Sequence, residues 1–169
     1  MRRDPIAYAR SVGVQIGERC LLHGVRPWTF GAEPYLIRIG DHVEVTAGVR
    51  FITHDGGVWV FREEDPDLDV FAPIVVGNNV FLGNDAIVMP GVTIGDDCVI
   101  GAGAVVTRDI PARQVAVGVP CKPIKTLDEY RKQVEAVAVR LRTDYRHSGQ
   151  RDQMFSEKRR LLESHFPRR

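Results

Sequence analysis

The chain has 169 residues, a formal net charge of +1 and three cysteines. That length suits one domain plus an appendage, and a near-neutral chain exerts no strong overall pull on nucleic acid or on an anionic membrane surface. No apolar run is long enough to span a bilayer, and an odd cysteine count without paired spacing argues against a disulfide framework or a cysteine zinc site.

Residues 1–15 read as a lead-in. Met1-Arg2-Arg3-Asp4-Pro5 carries basic residues with no apolar core behind them, so a secretory leader is not expected and a cytoplasmic setting is the default. A six-residue block follows, Ile16-Gly17-Glu18-Arg19-Cys20-Leu21. An irregular excursion near 23–38, punctuated by Pro27, Gly31 and Pro34, separates it from three more blocks opened by Ile39, Val45 and Phe51. A second excursion, near 55–73, mixes glycines, aromatics and acids. Loops of this length inside a domain are uncommon and often functional.

From Val76 to Pro111 the period is unbroken. Val76, Leu82, Val88, Ile94, Ile100 and Val106 open the blocks, and Val80, Ala86, Val92, Cys98, Ala104 and Ile110 take the fifth places. Six residues fit neither a helix nor a long strand alternation. They fit a short strand and a tight turn, with the opening residue inward and a small inward residue near the bend. Asn78-Asn79, Asn84-Asp85 and Asp96-Asp97 supply turn chemistry. Three blocks close one coil of about 18 residues. Stacked coils would place Val76 against Ile94, Leu82 against Ile100 and Val88 against Val106. Cys20 and Cys98 then read as small buried side chains.

Past Pro111, Val115 to Lys125 is extended and broken by prolines. Thr126-Leu127-Asp128-Glu129 predicts a capping box, and Leu127, Tyr130, Val134, Val137 and Leu141 form one helical stripe. A second helical stretch carries Met154, Phe155, Leu161, Leu162 and Phe166. The expected domains are a 1–15 lead-in, a 16–125 coil and a 126–169 helical tail. The tail, rich in Arg and Lys, reads as a cover for the last coil, because an open coil end exposes unpaired backbone, with docking on its own or a neighbouring prism, or binding of an acidic partner, as alternatives.

Val76 to Lys125 resembles the hexapeptide-repeat acyltransferases, in particular the galactoside, maltose and polysaccharide O-acetyltransferases. The segments that carry the likeness are Met89-Pro90-Gly91-Val92, Ile100-Gly101-Ala102-Gly103 and Val117-Gly118-Val119-Pro120-Cys121-Lys122. The resemblance implies an all-β core, a left-handed parallel β-helix with an α-helical tail. It implies a homotrimer whose sites lie between prisms, no bound metal, and transfer of an acetyl group from acetyl-CoA to a saccharide hydroxyl.

The residue that matches the family's general base is His54, in Phe51-Ile52-Thr53-His54-Asp55. The chemistry agrees, since a sugar hydroxyl is a poor nucleophile until its proton is accepted, and histidine titrates near neutrality. The competing reading is a histidine that anchors the loop. Asp55 is a candidate orienting group, with a backbone carbonyl, Glu63, Glu64 or Asp65 as alternatives. His23, His42 and His54 also raise zinc hydration chemistry, as in the γ-class carbonic anhydrases, but two ligands about five residues apart are missing; His42 reads as a turn residue.

For the cofactor, the likeness implies Gly83, Asn84 and Ala102 along the pantetheine arm, Thr107 near the adenine, and Lys122 and Lys125 at the phosphates. Both lysines also read as solvated charges. Phe81 stands where the family often has Trp. Trp28, Glu33, Tyr35, Trp59 and Arg62 are candidates for the acceptor, with fastening of the excursions to the coil as the alternative. An N-acetyltransferase of amino sugars, a serine-type O-acetyltransferase and a non-catalytic scaffold remain as other readings.

Overall fold

A computed structural model describes residues 4–138, 158–160 and 162–163. By its contacts the chain divides into two units, 1–132 and 133–169. The first unit is a coil of short strands, and it forms as the hexads predict.

The first turn of the coil contains β1 (Gln15–Ile16) and β2 (Leu21–Leu22). The second contains β3 (Ile37–Ile39), β4 (Glu44–Val45) and β5 (Arg50–Phe51). The third contains β6 (Ile74–Val76), β7 (Phe81–Leu82) and β8 (Ile87–Val88). The fourth contains β9 (Thr93–Ile94), β10 (Val99–Ile100) and β11 (Val105–Val106). β12 (Gln114–Val117) begins a fifth turn, and β13 (Lys122–Thr126) folds back antiparallel on it. Three sheets result, in the orders β1-β3-β6-β9, β13-β12-β10-β7-β4-β2 and β11-β8-β5. Apart from the β12-β13 pair, these strands pair with one another in parallel.

The register is the one the period predicts: Val76 pairs with Ile94, Leu82 with Ile100 and Val88 with Val106. All six opening residues and all six fifth-place residues from Val76 to Ile110 are buried. Each apolar side chain removed from water contributes about 1.5–3 kcal/mol, and no turn of the coil could hide its interior alone.

The polar pairs bond across turns of the coil rather than within them. Asp41 Oδ1 accepts from the Glu18 amide at 2.9 Å, Asn78 Oδ1 from the Asp41 amide at 2.9 Å and Asp96 Oδ1 from the Asn78 amide at 2.6 Å. His42, Asn79 and Asp97 stack beside them in the left-handed region, at φ 56°, 55° and 58°. His42 Nδ1 lies 2.8 Å from Asn79 Oδ1, so His42 is a turn residue. Short polar side chains suit these corners because they tolerate positive φ and saturate the next backbone.

The lead-in is not featureless. α1 (Pro5–Ser11) is capped by Asp4, whose carboxylate accepts from Ile6 and Ala7, and it buries Ala9 against the first turn of the coil. Arg10 donates to the Ile16 and Gly17 carbonyls at 3.2 Å. At the far end, β13 lies along β12.

α2 (Leu127–Val137) starts at the predicted capping box. Thr126 Oγ1 accepts from the Glu129 amide at 3.3 Å, and Glu129 accepts from the Thr126 amide at 2.7 Å. The bonds that the Thr126 amide and hydroxyl donate to the Glu129 carboxylate, ahead of the nearby Lys125 and Lys132 charges, hold that carboxyl below its ordinary range. Leu127 is half-buried and Tyr130 exposed. Leu141, the last residue of the predicted helical stripe, lies outside the described residues; of the second tail stretch, Leu162 is helical, and Met154, Phe155, Leu161 and Phe166 lie outside them.

Candidate functional site

Both excursions cross the same corner of the coil, the one between the β5-β8-β11 face and the β3 and β6 strands at which they rejoin it. The first stands in place of a third strand in the first turn of the coil. There Thr29 accepts from the Phe51 amide at 2.9 Å, and Phe30, buried, stacks on Phe51 with ring centroids 5.9 Å apart. The second starts one turn later, after Phe51. The two irregular segments are therefore neighbours along the axis, although 21 residues separate Glu33 from His54.

That adjacency builds the site. Glu33 Oε2 lies 2.9 Å from His54 Nδ1 and accepts the Thr53 hydroxyl at 2.6 Å. Thr53 is buried, the Glu33 side chain is 15% exposed and that of His54 is 43% exposed. Burial pushes the Glu33 carboxyl up, but the hydrogen bonds from Thr53 and His54 and the imidazole charge outweigh it and hold the carboxyl below its ordinary range. An ionised carboxylate has no proton to donate, so Nδ1 is the donor and Nε2 of the neutral ring carries the free lone pair. The result is a half-exposed imidazole with a fixed tautomer at the mouth of a loop.

The loop mouth is a short antiparallel ribbon. The Asp55 amide donates to Val70 at 2.9 Å and the Ala72 amide to Thr53 at 3.0 Å, which makes His54 and Phe71 a directly opposed pair. Phe71 meets the imidazole edge-on, with centroids 6.3 Å apart and planes at 66°.

The placement of the candidates separates them. Asp55 does not hold the imidazole: its carboxylate caps the 3₁₀ helix Gly56–Phe61 by accepting from the Gly57 amide at 2.8 Å. Neighbours in an extended segment point to opposite faces, so Asp55 turns away from its neighbour. Glu33, read from the sequence as an acceptor contact, is the carboxylate on His54. Arg62 pairs with Asp69 inside its own loop. Trp28, Tyr35 and Trp59 are exposed. His23 Nε2 lies 3.1 Å from Glu44, so His23, His42 and His54 each have a different partner.

The cofactor candidates fall elsewhere on the coil. Gly83 and Asn84 on the third turn of the coil lie under Ala102 and Gly103 on the fourth, with Gly103 donating to Asn84 at 2.7 Å. A Cβ on Gly83 would come within 2.5 Å of the Ala102 amide nitrogen, so this corner admits only a bare backbone there. Asn84, Ala102 and Thr107 are exposed. Lys122 is exposed and Lys125 half-buried, both on β13. Gly83 itself is buried, so the backbone exposed at this corner is that of Asn84, Ala102 and Gly103.

Comparison with known proteins places this architecture. Residues 73–108 match the family model described as bacterial transferase hexapeptide, six repeats. Protein CapG of Staphylococcus aureus is 51% identical over 125 residues, which span 74% of this chain and 73% of CapG. Galactoside O-acetyltransferase of Escherichia coli K12 is 40% identical over 57% of this chain, which spans 47% of that enzyme's length. Among solved structures, a hexapeptide-repeat acetyltransferase from Vibrio cholerae in complex with acetyl coenzyme A is 25% identical, with a TM-score of 0.55 over 68% of this chain and 61% of that one. With three quarters of CapG matched at that identity and the six-repeat model covering the regular hexads, the chain belongs to the hexapeptide-repeat transferase family.

Proposed function

We propose that this protein is an acetyl-CoA-dependent O-acetyltransferase that acetylates a saccharide hydroxyl, with His54 as general base and Glu33 as the group that orients it. The observation that carries the reading is the His54–Glu33 contact of 2.9 Å at the loop mouth, with Nε2 left free. The similarity to galactoside O-acetyltransferase supports the acceptor class, and the acetyl-CoA complex of the Vibrio cholerae relative supports the donor.

The donor supplies a thioester whose carbonyl carbon takes the acceptor oxygen while the C–S bond breaks. His54 Nε2 accepts the acceptor's hydroxyl proton as that oxygen bonds to carbon, and returns it to the departing sulfur. Glu33 keeps Nδ1–H pointed inward and stabilises the imidazolium between those transfers. Thr53 holds the carboxylate in place. Gly83, Asn84 and Ala102 are read as the wall along the donor's arm, Thr107 as an adenine neighbour, and Lys122 and Lys125 as phosphate partners.

Family membership supports a left-handed winding of the coil and a trimer. Phe81, Ile87, Val99 and Val105 point outward from the strands as an apolar set suited to an interface. The base stands at one corner of the β5-β8-β11 face and the Gly83–Ala102 column at the other, which supports a site completed by a second copy. The division into coil and tail near residue 126, and a cytoplasmic setting, belong to the same reading; no described helix is long and apolar enough to cross a membrane.

The test is release of free CoA from acetyl-CoA in the presence of a panel of saccharides. His54→Ala should lower turnover by about 10²–10⁴-fold with the fold intact. Unchanged turnover removes His54 as the base, and turnover confined to amines or to L-serine replaces the saccharide hydroxyl as acceptor.

A further inference from the structure

We infer that Phe71 is the platform on which the acceptor's sugar ring lies while one of its hydroxyls reaches His54, so that the acceptor is a pyranose with a continuous apolar C–H face. The inference rests on the proposed role of His54 and names what stands beside it.

Backbone geometry fixes the juxtaposition. The hydrogen bonds on either side of the His54–Phe71 pair, Asp55 to Val70 and Ala72 to Thr53, make it a non-hydrogen-bonded antiparallel pair. In such a pair the side chains share one face, and their α-carbons stand about 4.5 Å apart. The ring is thereby committed to the side of the ribbon from which the imidazole projects, at the observed 6.3 Å.

The exposure of the ring is unlike that of the aromatics that build the fold. Phe30 and Phe51 are buried and stacked on each other, whereas Phe71 is 52% exposed. It fills no core position and touches the base. Because Nδ1 is held by Glu33, a hydroxyl has to approach Nε2, and the exposed ring is an apolar surface beside the same imidazole. Aromatic faces bind the C–H side of a pyranose by apolar burial and by the attraction of the ring's negative face for polarised C–H bonds. An acyclic hydroxyl acceptor has no such face to offer.

The test compares kcat/KM for methyl hexopyranosides with that for glycerol and L-serine, in the wild type, Phe71→Leu, Phe71→Ala and Phe71→Tyr. The wild type should favour at least one pyranoside. Leu and Ala should each lower the ratio of pyranoside to acyclic acceptor by about tenfold, mainly through the pyranoside KM, the equivalent of roughly one lost aromatic contact. Tyr should restore the ratio.

A ring that merely propped His54 would lower both acceptor classes together and leave the ratio unchanged, which overturns the platform. A ratio retained in Phe71→Leu also overturns it, because bulk without a ring face would then suffice. His54→Ala measured alongside separates the two claims: if it abolishes turnover while the ratio stays fixed in the Phe71 variants, the platform alone fails. Turnover that survives in His54→Ala, or no turnover with any pyranoside, sinks the reading of the site and the platform with it.

Discussion

Glu33 Oε2 receives two donors, and their chemistry sets the behaviour of the site. A buried hydroxyl at 2.6 Å and an imidazole N–H at 2.9 Å stabilise the anion against a cost of burial that works the other way. Glu33→Gln keeps the shape but loses the charge that holds the imidazole tautomer. It should lower kcat at least about tenfold, read by steady-state CoA release. Thr53→Val removes one donor and should allow the carboxylate to turn, with a smaller loss that Thr53→Ser restores. The depressed carboxyl also makes a pH prediction. Its stabilising contribution is complete above the ordinary glutamate pKa of about 4.3 and disappears as pH falls through the lower folded value. The melting temperature of the wild type should therefore exceed that of Glu33→Gln near neutrality and converge with it in acid. A gap that widens as pH falls contradicts this. His54 was legible in the sequence because the hexads stop there. Its partner was not, because Glu33 lies in an irregular stretch with no period to align it. The readable signal was the position of the two breaks: one replaces the third hexad of its turn of the coil, the other follows the third hexad of the next, so both cross the same corner before the coil resumes.

The hexads carried the strands and their register because each block repeats a local demand, an inward aliphatic and a small residue at the bend, that only stacking satisfies. Corners add a steric demand of their own. Gly83 lies against the Ala102 amide, where a Cβ would be 2.5 Å from a backbone atom that has no room to move. Gly83→Ala should cost about 1–3 kcal/mol and lower the melting temperature by several degrees, followed by circular dichroism. An unchanged melting temperature contradicts the packing described for this corner. α1 escaped the reading of the lead-in because a single short helix has too little periodicity to show. Its start was written locally all the same, as Asp4 followed by Pro5, a capping residue and a proline at the first helical position. The apolar set of α2 is present but leaves Tyr130 exposed, so a stripe in sequence did not translate into a buried face there.

At the scale of the whole molecule, the regular part of the chain supplies rigid walls, and the proposed chemistry lies in the irregular parts. The proposed trimer predicts a solution mass three times the 18.9 kDa of one chain by light scattering, and a monomer at micromolar concentration would contradict it. The central claim is narrower: two interruptions of one repeat, brought together at one corner, act as a single catalytic unit. A double-mutant cycle on His54 and Glu33 tests it most directly, because residues that act as a unit have non-additive losses. With acetyl-CoA and a saccharide acceptor, Glu33→Gln should cost at least about tenfold in the wild type and less than about twofold in His54→Ala. Equal losses in the two backgrounds would show that the residues act independently and would contradict the account.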